Sequence, residues 1–181
     1  MPWVPNALTL LRILLIPLFC WLIFRASGPP VGWALLVFAV AALTDWLDGY
    51  LARKWKVISD FGKIADPLAD KLLVLAALAA LTWLPPFRLW LPIFIVIAAR
   101  ELGVTLLREI YKRRGFILPA DLLGKLKTVL QMTGIVLAFA AWAWLPKVSP
   151  GLVLSANLWF ALVAVLTVYS GLQYLKRQPR S

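Results

Sequence analysis

Five of the chain's eight acidic residues, Asp45, Asp48, Asp60, Asp66 and Asp70, fall within one stretch between long apolar segments. Carboxylates in such surroundings need a reason. At about 100° per residue, Asp45, Asp48, Gly49 and Ala52 share roughly one third of a helix circumference, and Trp46, Leu47, Tyr50 and Leu51 project elsewhere. One face therefore offers two carboxylates beside two residues with almost no side chain. Asp66 and Asp70, an i, i+4 pair, share a face of the next helix. The connection between the two helices is short, so they are antiparallel neighbours and the pairs can converge. Four clustered carboxylates repel unless a cation joins them. The chain has no histidine and a single cysteine, Cys20, which lies in an apolar run. The ligand set is then all oxygen, which suits Mg²⁺ or Mn²⁺ and argues against zinc or copper. Four acids can hold two such ions and clamp a pyrophosphate between them. Arg53, one turn on, can meet a phosphate with its guanidinium. Asp60, in the connection, reads instead as a solvated residue or an ion-pair partner.

The elements that must position these residues are apolar helices. Candidate spans run from about Asn6 to Phe24, Gly32 to Ala52, Pro67 to Trp83, Arg88 to Lys112, Asp121 to Trp144 and Leu152 to Tyr174. Ser27 to Pro30, Pro85-Pro86 and Pro146 to Gly151 supply the turns. Asp66-Pro67 is predicted to cap and open the third helix, which leaves 53–65 as a charged connection.

With 62% hydrophobic residues and ten Trp among 181, and a mean hydropathy of +0.86, the chain lacks the polar side chains that a water-soluble surface needs. It is expected to be an all-α integral membrane protein: one domain over residues 1–181, a bundle of six transmembrane helices, with no cleavable signal and no internal repeat. The net charge of +11 sits at helix ends and loops, which points to anionic lipid headgroups and anionic substrates as partners and not to nucleic acid. Arg53, Lys54, Lys56 and Lys63, then Lys112, Arg113, Arg114, Lys125 and Lys127, and finally Lys176, Arg177 and Arg180 all fall on one side. The opposite loops carry only Arg25, Arg88 and Lys147. By the positive-inside rule both termini and the acidic stretch are cytoplasmic. Trp33, Trp83, Trp90, Trp142 and Trp144 fall at the opposite ends and read as an aromatic belt. Asp45 and Asp48 lie roughly 13 and 9 Å before Lys54 along the helix, inside the bilayer, where ionisable groups are by default functional.

The pattern D-x2-D-G-x2-A-R-x8-G-x3-D-x3-D is matched in full by Asp45, Asp48, Gly49, Ala52, Arg53, Gly62, Asp66 and Asp70. It resembles the signature of the CDP-alcohol phosphatidyltransferases. The resemblance extends over nearly the whole chain. Pro5, Asn6, Leu8, Thr9 and Arg12 near the start, Ala99 to Leu102 and Leu107 to Glu109, and Gly124, Lys125, Lys127, Thr128 and Gln131 look like the branch that makes phosphatidylglycerol phosphate. The resemblance implies that Asp45, Asp48, Asp66 and Asp70 hold two divalent metals, with Asp70 also the general base. It implies that Gly49, Arg53 and Ser59 meet the CDP part of CDP-diacylglycerol and that Ala52 leaves space for it. A homodimer in a bacterial inner membrane, with the active site facing the cytoplasm, is also expected on that basis. Asn6, Thr9 and Arg12 recur every three residues along the first helix, where they line the nucleotide side or serve capping and helix packing.

The implied acceptor, glycerol 3-phosphate, brings a dianionic phosphate, so clustered cations should receive it. Arg100, Arg108, Lys125 and Lys127 are the candidates. Arg100 lies roughly 18 Å along the helix from Lys112 and needs an anionic partner, for which Glu101, Glu109 and the bound phosphate all qualify. Its alternative role is an ion pair that pins the helix. Other acceptors within the family are inositol phosphate, serine and a second polyglycerol lipid. The rival from another class is a small cation transporter, which gives no reason for Gly49, Ala52 and Arg53 and would favour acids at both membrane faces.

Overall fold

The computed structural model describes residues 3–25, 30–55, 60–113 and 122–176, with side chains for 10–25, 30–44, 69, 71–107, 109–111 and 123–173. All regular structure among them is helical: α1 (Trp3–Ile23), α2 (Val31–Trp55), α3 (Asp60–Trp83), α4 (Leu91–Arg113), α5 (Leu122–Trp144) and α6 (Pro150–Lys176). The six expected helices are present, and prolines near positions 30, 85 and 146 fall between α1 and α2, α3 and α4, and α5 and α6.

One boundary differs in a way that bears on function. The sequence suggests that Asp66-Pro67 opens the third helix, yet α3 already begins at Asp60 and runs through Pro67. A proline inside a helix removes one backbone donor and crowds the preceding turn; it does not forbid the other turns. Asp60 stands first in α3, where the unsatisfied N–H groups of a helix start favour negative charge. With α2 continuing to Trp55, the connection expected over 53–65 is correspondingly shorter.

The chain divides into two compact units, with boundaries within α3, within α5 and in the turn between α5 and α6. The first holds residues 1–80 and 139–146. In it α1 packs along α2, with Phe19, Ile23, Ala34, Phe38, Ala41 and Phe139 fully buried. Ala34 and Ala41, two turns apart on α2, let the helix backbones approach closely. The Phe19 ring meets Phe38 at 6.0 Å and Phe139 at 5.9 Å between centroids. Arg12 falls on the same face of α1 as Phe19 and Ile23 and is likewise fully buried.

The second unit holds residues 81–138 and 147–181, and α4 packs on α6 within it. The turn into α4 places Arg88 at a φ of 44°, a left-handed conformation that costs a side-chain-bearing residue about 1–2 kcal/mol. Hydrogen bonds from Leu89 N to the Leu81 carbonyl (2.9 Å) and from Arg88 N to the Leu84 carbonyl (3.4 Å) hold it. Asn157 of α6 accepts from Trp90 N at 2.8 Å, satisfying a backbone donor where α4 begins.

Polarity is inverted relative to a protein folded in water. Leu43 and Val165, each 65% exposed, belong to a large exposed apolar set, whereas Arg12, Glu101, Lys127 and Gln131 are buried. In water the reverse sorting holds; apolar residues outside and polar ones inside suit a hydrocarbon surrounding. Two of the described helical stretches, Leu123–Trp144 and Pro150–Gln173, are long and apolar enough to cross a membrane.

Candidate active site

The acidic motif lies on two consecutive helices of the first unit. Asp45, Asp48, Gly49, Ala52 and Arg53 all belong to the closing turns of α2, which continues unbroken from Val31 to Trp55. Asp66 and Asp70 follow in the second and third turns of α3. The helical register on which their pairing depends is therefore present in both helices: one aspartate pair three residues apart, the other four. The side chains of these residues, and those of Asn6, Thr9 and Arg108, lie outside the described residues, as does Ser59 altogether.

The expected cations are described for Arg12, Arg100, Lys125 and Lys127. In the second unit the structure brings Arg100 and Lys127 together through one carboxylate. Lys127 Nζ pairs with Glu101 Oε1, and Arg100 Nη1 lies 3.5 Å from the same oxygen. Of the anionic partners the sequence offers Arg100, Glu101 is the one described beside it. Lys125, two residues before Lys127, is turned away and exposed, since two residues on a helix are about 200° apart.

Sequence reasoning missed what α6 contributes to this group. Arg100 Nη2 donates to Ser170 Oγ at 3.0 Å, and Ser170 Oγ donates in turn to the Thr167 carbonyl at 3.1 Å. Gly171 stands beside Arg100: a Cβ there would lie 3.3 Å from Arg100 Cγ. Ser170 and Thr167 are fully buried, and Gln131, one turn beyond Lys127 on α5, is buried too. Polar and small residues in an otherwise apolar helix are the signal that could have found them, because such residues gather where membrane helices touch. Two cations, the buried Lys127 and the partly exposed Arg100, share this carboxylate.

A separate open groove of about 610 Å³ is lined by Pro30, Trp33, Leu36, Trp142 and Trp144. It lies at the start of α2, roughly 18 Å along the helix from Asp45, and has no carboxylate in its lining. Trp33 and Trp144 are among the most exposed large side chains, at 66% and 70%, as aromatic residues at a membrane interface would be.

The family model for CDP-alcohol phosphatidyltransferase matches residues 2–170. The CDP-diacylglycerol--glycerol-3-phosphate 3-phosphatidyltransferase of Escherichia coli (strain K12) is 38% identical over 185 residues, covering 95% of this chain and 92% of its own. The "Probable phosphatidylglycerophosphate synthase" of Mycobacterium tuberculosis (strain ATCC 25618 / H37Rv) is 39% identical over 180 residues, 97% of this chain and 81% of that relative. The cardiolipin synthase (CMP-forming) of Streptomyces coelicolor is 43% identical over 129 residues, 69% of this chain. That match spans 59% of the synthase's own length.

Proposed function

The chain belongs to the CDP-alcohol phosphatidyltransferase family, and we propose that it transfers the phosphatidyl group of CDP-diacylglycerol to glycerol 3-phosphate, giving phosphatidylglycerol phosphate and CMP. The observation that carries this reading is the complete eight-residue motif on α2 and α3, in a chain that matches an enzyme of that name over nearly the full length of both.

Asp45, Asp48, Asp66 and Asp70 would hold the divalent ions, Mg²⁺ or Mn²⁺, two in number. The fit rests on an all-oxygen donor set and on helical register at both pairs. When bound, the ions supply positive charge against the pyrophosphate of the nucleotide lipid. Gly49, Ala52, Arg53 and Ser59, with Asn6, Thr9 and Arg12, bind CDP-diacylglycerol. Asp70 takes the proton from the attacking hydroxyl. That oxygen forms its bond to the lipid-side phosphorus as the bond to CMP breaks. Arg53 offsets charge on the phosphate oxygens and the departing CMP. Arg100, Arg108 and Lys125 receive the acceptor's phosphate, while Lys127, also a candidate from the sequence, acts there through its pair with Glu101.

The six helices would all cross the membrane, with both termini and the acidic motif at the cytoplasmic face of a bacterial inner membrane, a topology supported by the Lys/Arg asymmetry. Residues 1–181 act as one catalytic domain, and the protein works as a homodimer.

A second reading, transfer to phosphatidylglycerol, is favoured by the 43% identity to the cardiolipin synthase. Purified protein is given CDP-diacylglycerol with labelled glycerol 3-phosphate, phosphatidylglycerol, serine or inositol phosphate, and CMP release and lipid products are followed. Product from glycerol 3-phosphate alone is expected. Transfer to phosphatidylglycerol instead would establish the second reading, and metal flux into proteoliposomes without CMP release would replace both with a transporter.

A further inference from the structure

We propose that Ser170 and Gly171 of α6 are positioning residues that set Arg100 for the acceptor's phosphate, with Lys127 serving to hold Glu101 and not to meet the acceptor itself. The inference rests on the acceptor reading given above for Arg100.

Three contacts bear on where the arginine stands. Its stem runs beside Gly171, where a Cβ would stand 3.3 Å from Cγ and 3.7 Å from Nε. Nη1 lies 3.5 Å from Glu101 Oε1, and Nη2 donates to Ser170 Oγ at 3.0 Å. The serine's proton is already committed to the Thr167 carbonyl, so its oxygen meets the guanidinium as an acceptor, in one orientation. A long side chain that would otherwise sample many rotamers is held in one before any ligand arrives.

Exposure then separates the two cations. The Arg100 side chain remains 13% exposed, while those of Lys127 and Glu101 are each 3% exposed. Of the two cations, Arg100 is the one that keeps surface for an anion to approach, and the lysine keeps Glu101 compensated. A Cβ at residue 171 would push the arginine stem by a few tenths of an ångström. Loss of the Ser170 hydroxyl would free Nη2.

The test uses full-length protein in lipid-detergent micelles, with Ser170→Ala, Gly171→Ala, Arg100→Ala and the double variant Arg100→Ala/Ser170→Ala. Ser170→Ala and Gly171→Ala should each raise the KM for glycerol 3-phosphate about three- to tenfold while kcat and the KM for CDP-diacylglycerol stay within about twofold. The double variant should match Arg100→Ala alone, because a residue that acts through another adds nothing once that other is gone. Additive effects, or equal losses toward both substrates, would overturn the positioning role. An Arg100→Ala effect with neither α6 variant following it would overturn that role while leaving the acceptor reading intact. An unchanged KM in Arg100→Ala would bring down both. If wild-type protein uses another acceptor, the functional reading fails, and the same non-additivity measured with that acceptor decides the α6 inference. Thermal midpoints identify a variant that has not folded, and Gly171→Ala then carries the test in place of Ser170→Ala.

Discussion

The indole Nε1 of Trp159 donates to the backbone carbonyl of Leu130, 3.0 Å away, and reaches it by lying over Gly134. A Cβ at that glycine would stand 2.6 Å from Nε1, 2.7 Å from Cδ1 and 3.0 Å from Phe160 Cζ. The contact joins α6 to α5 through a rigid ring whose polar atom needs a partner once buried. Gly134→Ala should therefore destabilise the protein by about 1–3 kcal/mol, the usual cost of overpacking a filled site. Gly103, with nothing within 4 Å of its added Cβ, is the comparison: Gly103→Ala should be neutral or stabilising by up to about 1 kcal/mol. Unfolding midpoints in a single detergent check the pair, and equal behaviour of the two variants would contradict the packing.

The ion pair of Lys127 and Glu101 predicts a second contrast. Glu101→Leu takes the carboxylate from a buried ammonium and should cost about 3–5 kcal/mol, whereas Glu101→Leu combined with Lys127→Met should regain most of it, since the buried cation then leaves together with its carboxylate. Stability should return in the double variant without restoring acceptor affinity, because Arg100 has still lost its carboxylate. Unfolding and the KM for glycerol 3-phosphate, measured on the same preparations, separate the two effects.

Asp70→Asn keeps an oxygen at the position but cannot take a proton. It should lower kcat by about 10²- to 10⁴-fold, the range that general-base catalysis supplies, with CDP-diacylglycerol binding mostly retained. Loss of lipid binding with turnover preserved would remove Asp70 from the base role.

Removing divalent ions should abolish CMP release, and Mg²⁺ or Mn²⁺ should each restore it. Asp45→Ala should raise the ion concentration needed for half-activity, which a titration against initial rate measures directly. Full activity in chelator would end the metal assignment for Asp45, Asp48, Asp66 and Asp70.

Arg108→Ala should raise the KM for glycerol 3-phosphate by about tenfold or more, consistent with loss of a charge-assisted hydrogen bond to phosphate. The KM for CDP-diacylglycerol should not move. An effect confined to the nucleotide lipid would take Arg108 out of the acceptor set.

Much of the architecture was legible from local patterns. Pro85-Pro86 and Pro146 mark the ends of α3 and α5 because proline lacks an amide donor and crowds the turn before it, and those helices stop at Trp83 and Trp144. The spacing of Asp45, Asp48, Gly49 and Ala52 could be read as one face, since helical periodicity is a property of the segment alone, and α2 carries them in one unbroken helix. The start of α3 was misread for the same reason. Asp66-Pro67 has the local form of a helix opening, but local preference does not weigh the helix that already begins at Asp60.

By itself, then, the sequence determined the six helices and the two aspartate pairs on α2 and α3, through periodicity and spacing within single segments, and its motif resembles that of the family to which the chain belongs. Tertiary structure alone decided that Lys127 is buried against Glu101 while Lys125, two residues earlier, is exposed. It also decided that Ser170, Gly171 and Trp159 of α6 meet residues of α4 and α5 far away in the chain. The two lysines look alike in composition and charge. Only the docking of one helix face against another removes one of them from its surroundings and supplies the carboxylate that makes its burial tolerable.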